Sequence, residues 1–309
     1  MQVQEFEDPP IHNPDSPFLD RLSLKRVDRD IFTGWCHAGA PLRAFGGQVA
    51  AQALVAAGTT VEESARHVHS LHGYFLRPGR TSDHIVYTVD RPRDGRSFST
   101  RRVRAVQYGE TIFTMSASFA PVQDGPSHQA TGLDRAGEGW FEDVPRPDEV
   151  RATDLTRTFR DNDQESRTPA EAGLPEEHLI DIRFIHHHQV LELTRGRADQ
   201  MAWIRTREPL PDNSLIHACA LTYFSDLTLV GTVLSHHGGR LAAEGHDLAS
   251  IDHAMWFHQE FLSNDWLLFV TDSPISGGGH GFARGQFFDS NGALVASAAQ
   301  EVLIRARTY

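Results

Sequence analysis

Two segments of this chain are predicted to form helices that are apolar on nearly every side. They read QVAAQALVAAG from residue 48 and IHACALTYFSDLTLVGTVL from residue 216. A helix at a protein surface keeps a polar face, so a helix without one must be covered on most sides. Segments typical of β-strands surround both helices. We therefore predict an α+β protein in which antiparallel sheet wraps around each helix.

The order of predicted elements repeats along the chain, with extended segments before and after one helix in each half. RRVRAVQYGETIFTMSAS in the first half is similar to ARGQFFDSNGALVASAAQ in the second, since both pair two strands through a glycine turn. Tyr108-Gly109 and Asn291-Gly292 stand at these turns, where a tight hairpin needs positive φ angles. We interpret the chain as a duplicated unit.

A compositional change separates the two units. Residues 123–178 contain 14 acidic against 6 basic residues, five prolines and few aliphatic side chains, which is typical of a solvated connection. We predict an N-terminal unit at 1–122, an acidic linker at 123–178 and a C-terminal unit at 179–309.

The overall composition limits the possible partners. A 309-residue chain with 39% hydrophobic residues can bury a large core, and its net charge of −12 argues against binding to nucleic acid or to an anionic membrane. Cys36 and Cys219 are far apart, and neither a signal peptide nor a long apolar segment was recognised. These features predict a cytoplasmic protein without disulfides.

The second apolar helix is unusual because it carries an acid, Asp226, in the stretch ALTYFSDLTLVG. If the helix continues to about Ser235, this carboxylate projects among mostly apolar neighbours three, four and seven residues away. An unpaired carboxylate there costs several kcal/mol or loses its charge. Either a neighbouring hydroxyl or amide satisfies Asp226, or the protein uses it in chemistry.

Two further polar residues occur where apolar ones are expected. Gln300 in VASAAQEVLI alternates with small and apolar residues that share its strand face. Ser250 is predicted to share a face with Asp252, Ala254 and Trp256 at the start of a strand. Each has an ordinary alternative, a paired core amide for Gln300 and a strand-end hydroxyl for Ser250.

Several long motifs together resemble the acyl-CoA thioesterase II family, whose members have a double hotdog fold. They are FGGQVAAQAL, VHSLHGYFLRPG, RDGRSFSTRRVRAVQ, ASIDHAMWFH and VASAAQE, in the order of that family. The resemblance implies two tandem hotdog units that hydrolyse acyl-CoA thioesters to fatty acid and coenzyme A. It places the family's catalytic Asp, Thr or Ser, and Gln at Asp226, Ser250 and Gln300, with Ser where many relatives have Thr.

The implied chemistry suits these residue types. Asp226 would act as general base, while Ser250 and Gln300 orient the attacking water. A thioester needs neither metal nor covalent nucleophile, so no cofactor is expected. The first helix has Gln48 and Gln52 but no acid, which predicts one active site per chain, formed largely by the second unit. The resemblance also implies a homodimer or homotetramer.

Two other functions remain open at this point, a hotdog enoyl-CoA hydratase and a non-catalytic acyl-CoA-binding protein. The run His186-His187-His188 is predicted to be extended and lacks partners at a zinc-like spacing. Candidate arginines for the coenzyme phosphates lie in FLRPGR and STRRVRAV, and none can be assigned from sequence. They are Arg77, Arg80, Arg101, Arg102 and Arg104.

Overall fold

A computed structural model describes residues 17–36, 43–62, 66–129, 140–151, 179–237 and 246–306. The helices are Pro17–Leu22 (α1), Gly46–Thr59 (α2), His187–Thr194 (α3), Ser214–Ser225 (α4) and Leu229–Ser235 (α5). The strands of the first unit are Lys25–Asp28 (β1), Ile31–Gly34 (β2), Arg66–Phe75 (β3), Ile85–Asp94 (β4), Ser99–Gln107 (β5) and Glu110–Pro121 (β6). Those of the second are Ile180–Phe184 (β7), Gln200–Thr206 (β8), His246–Ser250 (β9), Asp252–Phe257 (β10), Leu267–Gly277 (β11), His280–Phe288 (β12) and Leu294–Ala306 (β13).

The strands of the described residues form one antiparallel sheet that crosses both units. Its order is β1-β2-β4-β5-β6-β3-β10-β13-β12-β11-β8-β7, and β9 also pairs with β13. The two units meet where β3 pairs with β10, with Gly73 opposite His253. The predicted α+β fold, with antiparallel sheet around long helices, is confirmed.

The helices α2 and α4 lie side by side and run in opposite directions. Gly58 near the end of α2 faces Leu215 at the start of α4, while Gly47 faces the backbone oxygen of Tyr223 near the end of α4. All of α2 from Gly47 to Ala57 is buried, which confirms the prediction from its all-round apolar sequence. The antiparallel packing brings the N-terminus of α2 to the C-terminus of α4.

The two glutamines of α2 have structural partners. The side-chain amides of Gln48 and Gln52 both donate to the backbone oxygens of Arg21 and Trp35, at 2.8 to 3.1 Å. The Tyr87 hydroxyl donates to Gln52 Oε1 at 2.7 Å. These bonds satisfy polar groups inside the first unit and attach the segment before α2 to its core.

Part of the predicted linker packs on the second unit. Trp140 and Val144 are buried in a cluster with Trp203 and Phe288. Trp203 donates its indole N–H to the backbone oxygen of Pro145 at 2.8 Å. Residues 130–139 and 152–178 lie outside the described residues.

Three local predictions were wrong. The continuous helix to Ser235 is instead α4 and α5, with Asp226 at the C-cap between them. The histidine run is not a strand, because α3 begins at His187 after His186. At the second hairpin only Gly292 has positive φ, whereas both Tyr108 and Gly109 do at the first. At this second turn the Asp289 carboxylate accepts from the N–H groups of residues 291 and 293.

The expectation of no long apolar segment also needs correction. The stretch Ser214–Ser235 is long and apolar enough to cross a membrane. Most of it is buried inside the protein, and it is divided into two helices. It is therefore the core helix segment of the second unit.

Candidate active site

The break between α4 and α5 places Asp226 at the junction of the two units. Asp226 has helical φ and ψ angles but ends α4, and α5 begins three residues later. Its side chain is 8% exposed. Because α2 runs antiparallel to α4, the carboxylate faces the first turn of α2. An ideal Cβ on Gly46 would lie 2.7 Å from Asp226 Oδ2, so this approach requires glycine.

A β-bulge brings Ser250 to the same buried space. Ser250 pairs with Val302, whereas Ala254 pairs with Ala299, so the register changes by one residue at Ile251. Ile251 donates its N–H to Glu301 and accepts from the N–H of Phe75, both at 2.8 Å. The extra residue of a bulge shifts the alternation of side chains by one, so Ser250 shares its face with His253 and not with Asp252. The predicted face of Ser250, shared with Asp252, Ala254 and Trp256, was therefore wrong.

Gln300 lies on the inner face of β13, as the alternation of its strand predicted, and is fully buried. Its Nε2 donates to Ser250 Oγ at 2.6 Å, and Ser250 Oγ donates to Asp226 Oδ1 at 3.1 Å. The structure thus brings together all three residues predicted from sequence. The pairing of β9 with β13 closes the 50-residue separation of Ser250 and Gln300, and Asp226, 24 residues before Ser250, reaches them from the end of α4.

The surroundings of Asp226 change its acidity in a specific way. Burial raises the pKa of Asp226 above its usual value. An electrostatic interaction with His253 and hydrogen bonds from Gln300, Ser250 and the Gly47 N–H oppose this rise in the pKa without cancelling it. The hydrogen bond from the Gly47 N–H comes from the first unit, so both units contribute groups that contact Asp226. Asp226 is a stronger base than an exposed aspartate while it remains hydrogen-bonded.

His253 is a site residue that the sequence reasoning missed. It is 1% exposed, and its Nδ1 lies 2.7 Å from Gln300 Oε1. Its Nε2 lies 2.7 Å from the hydroxyl oxygen of Ser225, which is fully buried. Simple alternation from Ser250 puts position 253 on the opposite face, and only the bulge at Ile251 turns it inward. The signal available in the sequence was a histidine within the motif ASIDHAMWFH.

The candidate arginines are distributed over both faces of the sheet. Arg101 is buried and pairs with Asp94 at 2.8 Å and with Thr60, which is a structural role. Arg102 and Arg104 are exposed on the opposite face of β5, as alternation predicted. Arg77 pairs with Glu110 at the surface. Arg80 stacks over the ring of Tyr108.

Comparison with known proteins connects this geometry to a reaction. Residues 175–303 match the family described as acyl-CoA thioesterase, and residues 32–120 match its N-terminal domain. Human acyl-coenzyme A thioesterase 8 is 36% identical, over 93% of this chain and 88% of its own length. Acyl-CoA thioesterase 2 of Haemophilus influenzae is 35% identical, over 92% and 95%. The chain belongs to the acyl-CoA thioesterase II family.

A solved structure supports both the fold and the reaction of this thioesterase. Acyl-CoA thioesterase II TesB2 from Mycobacterium marinum is 39% identical, with a TM-score of 0.74, and the match covers 94% of this chain and 98% of that one. A protein with a hot dog fold from Alicyclobacillus acidocaldarius, at 20% identity and a TM-score of 0.70, supports the fold alone. The tandem hotdog fold and the thioester hydrolase activity are confirmed. The names of these relatives favour hydrolysis over the hydratase and binding-protein alternatives.

Proposed function

We propose that this thioesterase hydrolyses acyl-CoA with one water molecule held by Asp226, Ser250 and Gln300. The observation that carries the proposal is the position of Ser250 Oγ, which is hydrogen-bonded to both Asp226 and Gln300. Three groups that suit water activation therefore meet in one buried place.

The hydrogen bonds indicate how the water is held. An ionised carboxylate only accepts, so Ser250 donates its single hydrogen to Asp226 and accepts from Gln300. The amide nitrogen of Gln300 has a second hydrogen. This hydrogen interacts with Asp226, and a water that enters between the two groups would accept it, donate one of its own hydrogens to Asp226 and keep a lone pair for the thioester carbonyl carbon.

The reaction balances without a cofactor. The water oxygen bonds to the carbonyl carbon as Asp226 takes a water proton, and the carbonyl oxygen becomes an oxyanion. When the oxyanion collapses, the carbon–sulfur bond breaks, and the thiolate of coenzyme A leaves with the proton that Asp226 took from the water, which restores the base. The raised pKa of Asp226 makes it a better base than an exposed aspartate, and positioned general-base catalysis contributes about 10²- to 10⁴-fold.

The first turn of α2 is the place where we expect the oxyanion to bind. The first N–H groups of a helix lack partners within the helix, and its dipole makes this end positive. Gly46 and Gly47 have no side chains that would keep a ligand from this backbone, and Gly47 already hydrogen-bonds Asp226. The active site would then combine a base from the second unit with an oxyanion site from the first.

The substitution Asp226→Asn tests the proposal, because it keeps the shape of the side chain and removes the base. We expect kcat for thiol release from acyl-CoA to fall by about 10²- to 10⁴-fold, with KM changed much less. Asp272→Asn is the matched control, since Asp272 pairs with Arg284 at the outer surface of the second unit. A kcat within about threefold of wild type in Asp226→Asn would contradict the role of Asp226 as base.

Acyl-chain preference and assembly need separate measurements. An activity profile over acyl-CoA chain lengths would define the substrate. The homodimer or homotetramer stays a prediction, as does the cytoplasmic location, and a mass measurement in solution tests the assembly.

A further inference from the structure

The buried ring of His253 contacts the oxygen of the Gln300 amide, while Ser250 contacts the nitrogen of the same amide. Its Nδ1 is 2.7 Å from Gln300 Oε1 and its Nε2 is 2.7 Å from Ser225 Oγ. Within the described residues His253 forms no hydrogen bond with Asp226 or Ser250, and its ring bonds to Gln300 and Ser225 instead. Any hydrogen-bonded effect of His253 on the attacking water therefore passes through Gln300, whereas its electrostatic effect on Asp226 is direct.

The orientation of the Gln300 amide determines whether its N–H groups point toward Ser250 and the water. Turning the amide by about 180° exchanges its oxygen and nitrogen with little change in shape. Only one orientation directs N–H groups to Ser250 and to the water. Ser250 favours this orientation only while its hydrogen goes to Asp226, because a hydroxyl that turns away from Asp226 can donate to the amide oxygen of Gln300.

A hydrogen on His253 Nδ1 would decide the orientation. Such a ring donates to Gln300 Oε1 and so turns the amide nitrogen toward Ser250. Because Gln300 Oε1 can only accept, its 2.7 Å contact with Nδ1 requires this hydrogen. The Ser225 hydroxyl, which also donates to the backbone oxygen of Thr222 at 2.8 Å, is compatible with this state either as donor to Nε2 or as acceptor from it. Ser225 is itself held at the end of α4, directly before Asp226. The ring thus connects the end of the helix that carries the base to the amide that orients the water.

We propose that His253 is a positioning residue that donates from Nδ1 to Gln300 Oε1 and keeps the Gln300 amide turned toward Ser250 and the water. This inference rests on the proposed function, because it requires Gln300 to orient the attacking water. It assigns to His253 no contact with the substrate. It also explains the bulge at Ile251, which is needed to turn both Ser250 and His253 toward Gln300.

Two substitutions of similar polarity test the roles of the two ring nitrogens separately. His253→Asn places an amide group near the position of Nδ1 and keeps a donor for Gln300. His253→Gln reaches toward the position of Nε2, so it keeps the contact with Ser225 and loses the donor. We expect kcat to fall by about 10- to 10²-fold in His253→Gln, with little change in KM, and His253→Asn to recover most of this loss.

Combining His253→Gln with Gln300→Ala distinguishes a positioning role of His253 from a general contribution to protein stability. If His253 acts through Gln300, His253→Gln should lower kcat no further once Gln300 is alanine. His217→Gln is the matched control, because His217 is a buried histidine of α4 whose Nδ1 bonds to Ser263 Oγ at 2.9 Å. We expect this control to lower the melting temperature while kcat stays near wild type.

The possible results are distinct. Equal kcat values for His253→Asn and His253→Gln, or a full further loss from His253→Gln in the Gln300→Ala background, would overturn the inference and leave the role of Asp226 intact. A wild-type kcat in Gln300→Ala would instead refute the role of Gln300 in the proposed function. Should His253→Gln not fold, His253→Met, which fills the space of the ring without a donor, takes its place in the same two backgrounds; a loss in kcat only when Gln300 is present supports the proposal, and any other pattern overturns it.

Discussion

The substitution Gly46→Ala tests how tightly the two units close around the candidate base. A Cβ at position 46 would lie 2.7 Å from Asp226 Oδ2 and 3.0 Å from two ring carbons of Phe75. Ordinary contacts of this kind begin at 3.4 Å, so the carboxylate must move by about 0.7 Å or α2 must withdraw by a similar distance. Both movements change the position of Asp226 relative to the first turn of α2.

We expect Gly46→Ala to lower kcat more than stability. A misplacement of about 1 Å can cost about 10²-fold, so a shift of about 0.7 Å predicts a loss in kcat of roughly tenfold or more. Stability should change little. Alanine in a helix is favoured over glycine by up to about 1 kcal/mol, and a side chain forced off its rotamer costs about 0.5–1.5 kcal/mol. These two contributions to the free energy of unfolding have opposite sign and similar size, so they nearly cancel.

The assay compares kcat from thiol release with the melting temperature of the same preparation. Gly58→Ala is the control at the opposite end of α2, where the added Cβ would meet the flexible end of Leu215 at 2.5 Å. We expect this control to keep its kcat within about twofold. The reasoning is refuted if Gly46→Ala keeps the wild-type kcat, or if Gly58→Ala loses as much activity.

Two further predictions concern stability. Burial raises the pKa of folded Asp226 above the unfolded value, so its contribution to stability is present below the unfolded pKa and is lost as pH rises through the folded pKa. Asp226→Asn should therefore melt at a higher temperature than wild type at pH 7, and the difference should shrink toward about pH 4; a lower melting temperature at every pH would contradict this. Tyr87→Phe leaves Gln52 Oε1 without its donor and should lower the free energy of unfolding by about 1–3 kcal/mol in denaturant titration, without a change in kcat. An unchanged unfolding midpoint would show that this bond contributes nothing.

The local pattern of the sequence was sufficient for most of the fold. The all-round apolar helix α2, the alternation that buries Gln300 and the opposite faces of Arg101 and Arg102 follow from periodicity, because burial depends on which face a residue occupies. Identification of Asp226, Ser250 and Gln300 as one set required the family resemblance as well. Nothing in their local sequence shows that they meet, since Ser250 and Gln300 come together through the pairing of β9 with β13 and Asp226 reaches Ser250 from the end of α4.

The sequence by itself determined that two apolar helices must be covered by sheet and that an acid, a hydroxyl and an amide occupy otherwise apolar settings. Tertiary structure decided that α4 ends at Ser225, that the strand bulges at Ile251 and that the first turn of α2 faces Asp226. It also placed His253 behind Gln300. The physical reason is that helix ends and strand register depend on distant neighbours: the carboxylate of Asp226 is hydrogen-bonded by groups from β9, β13 and the other unit, which no local window contains.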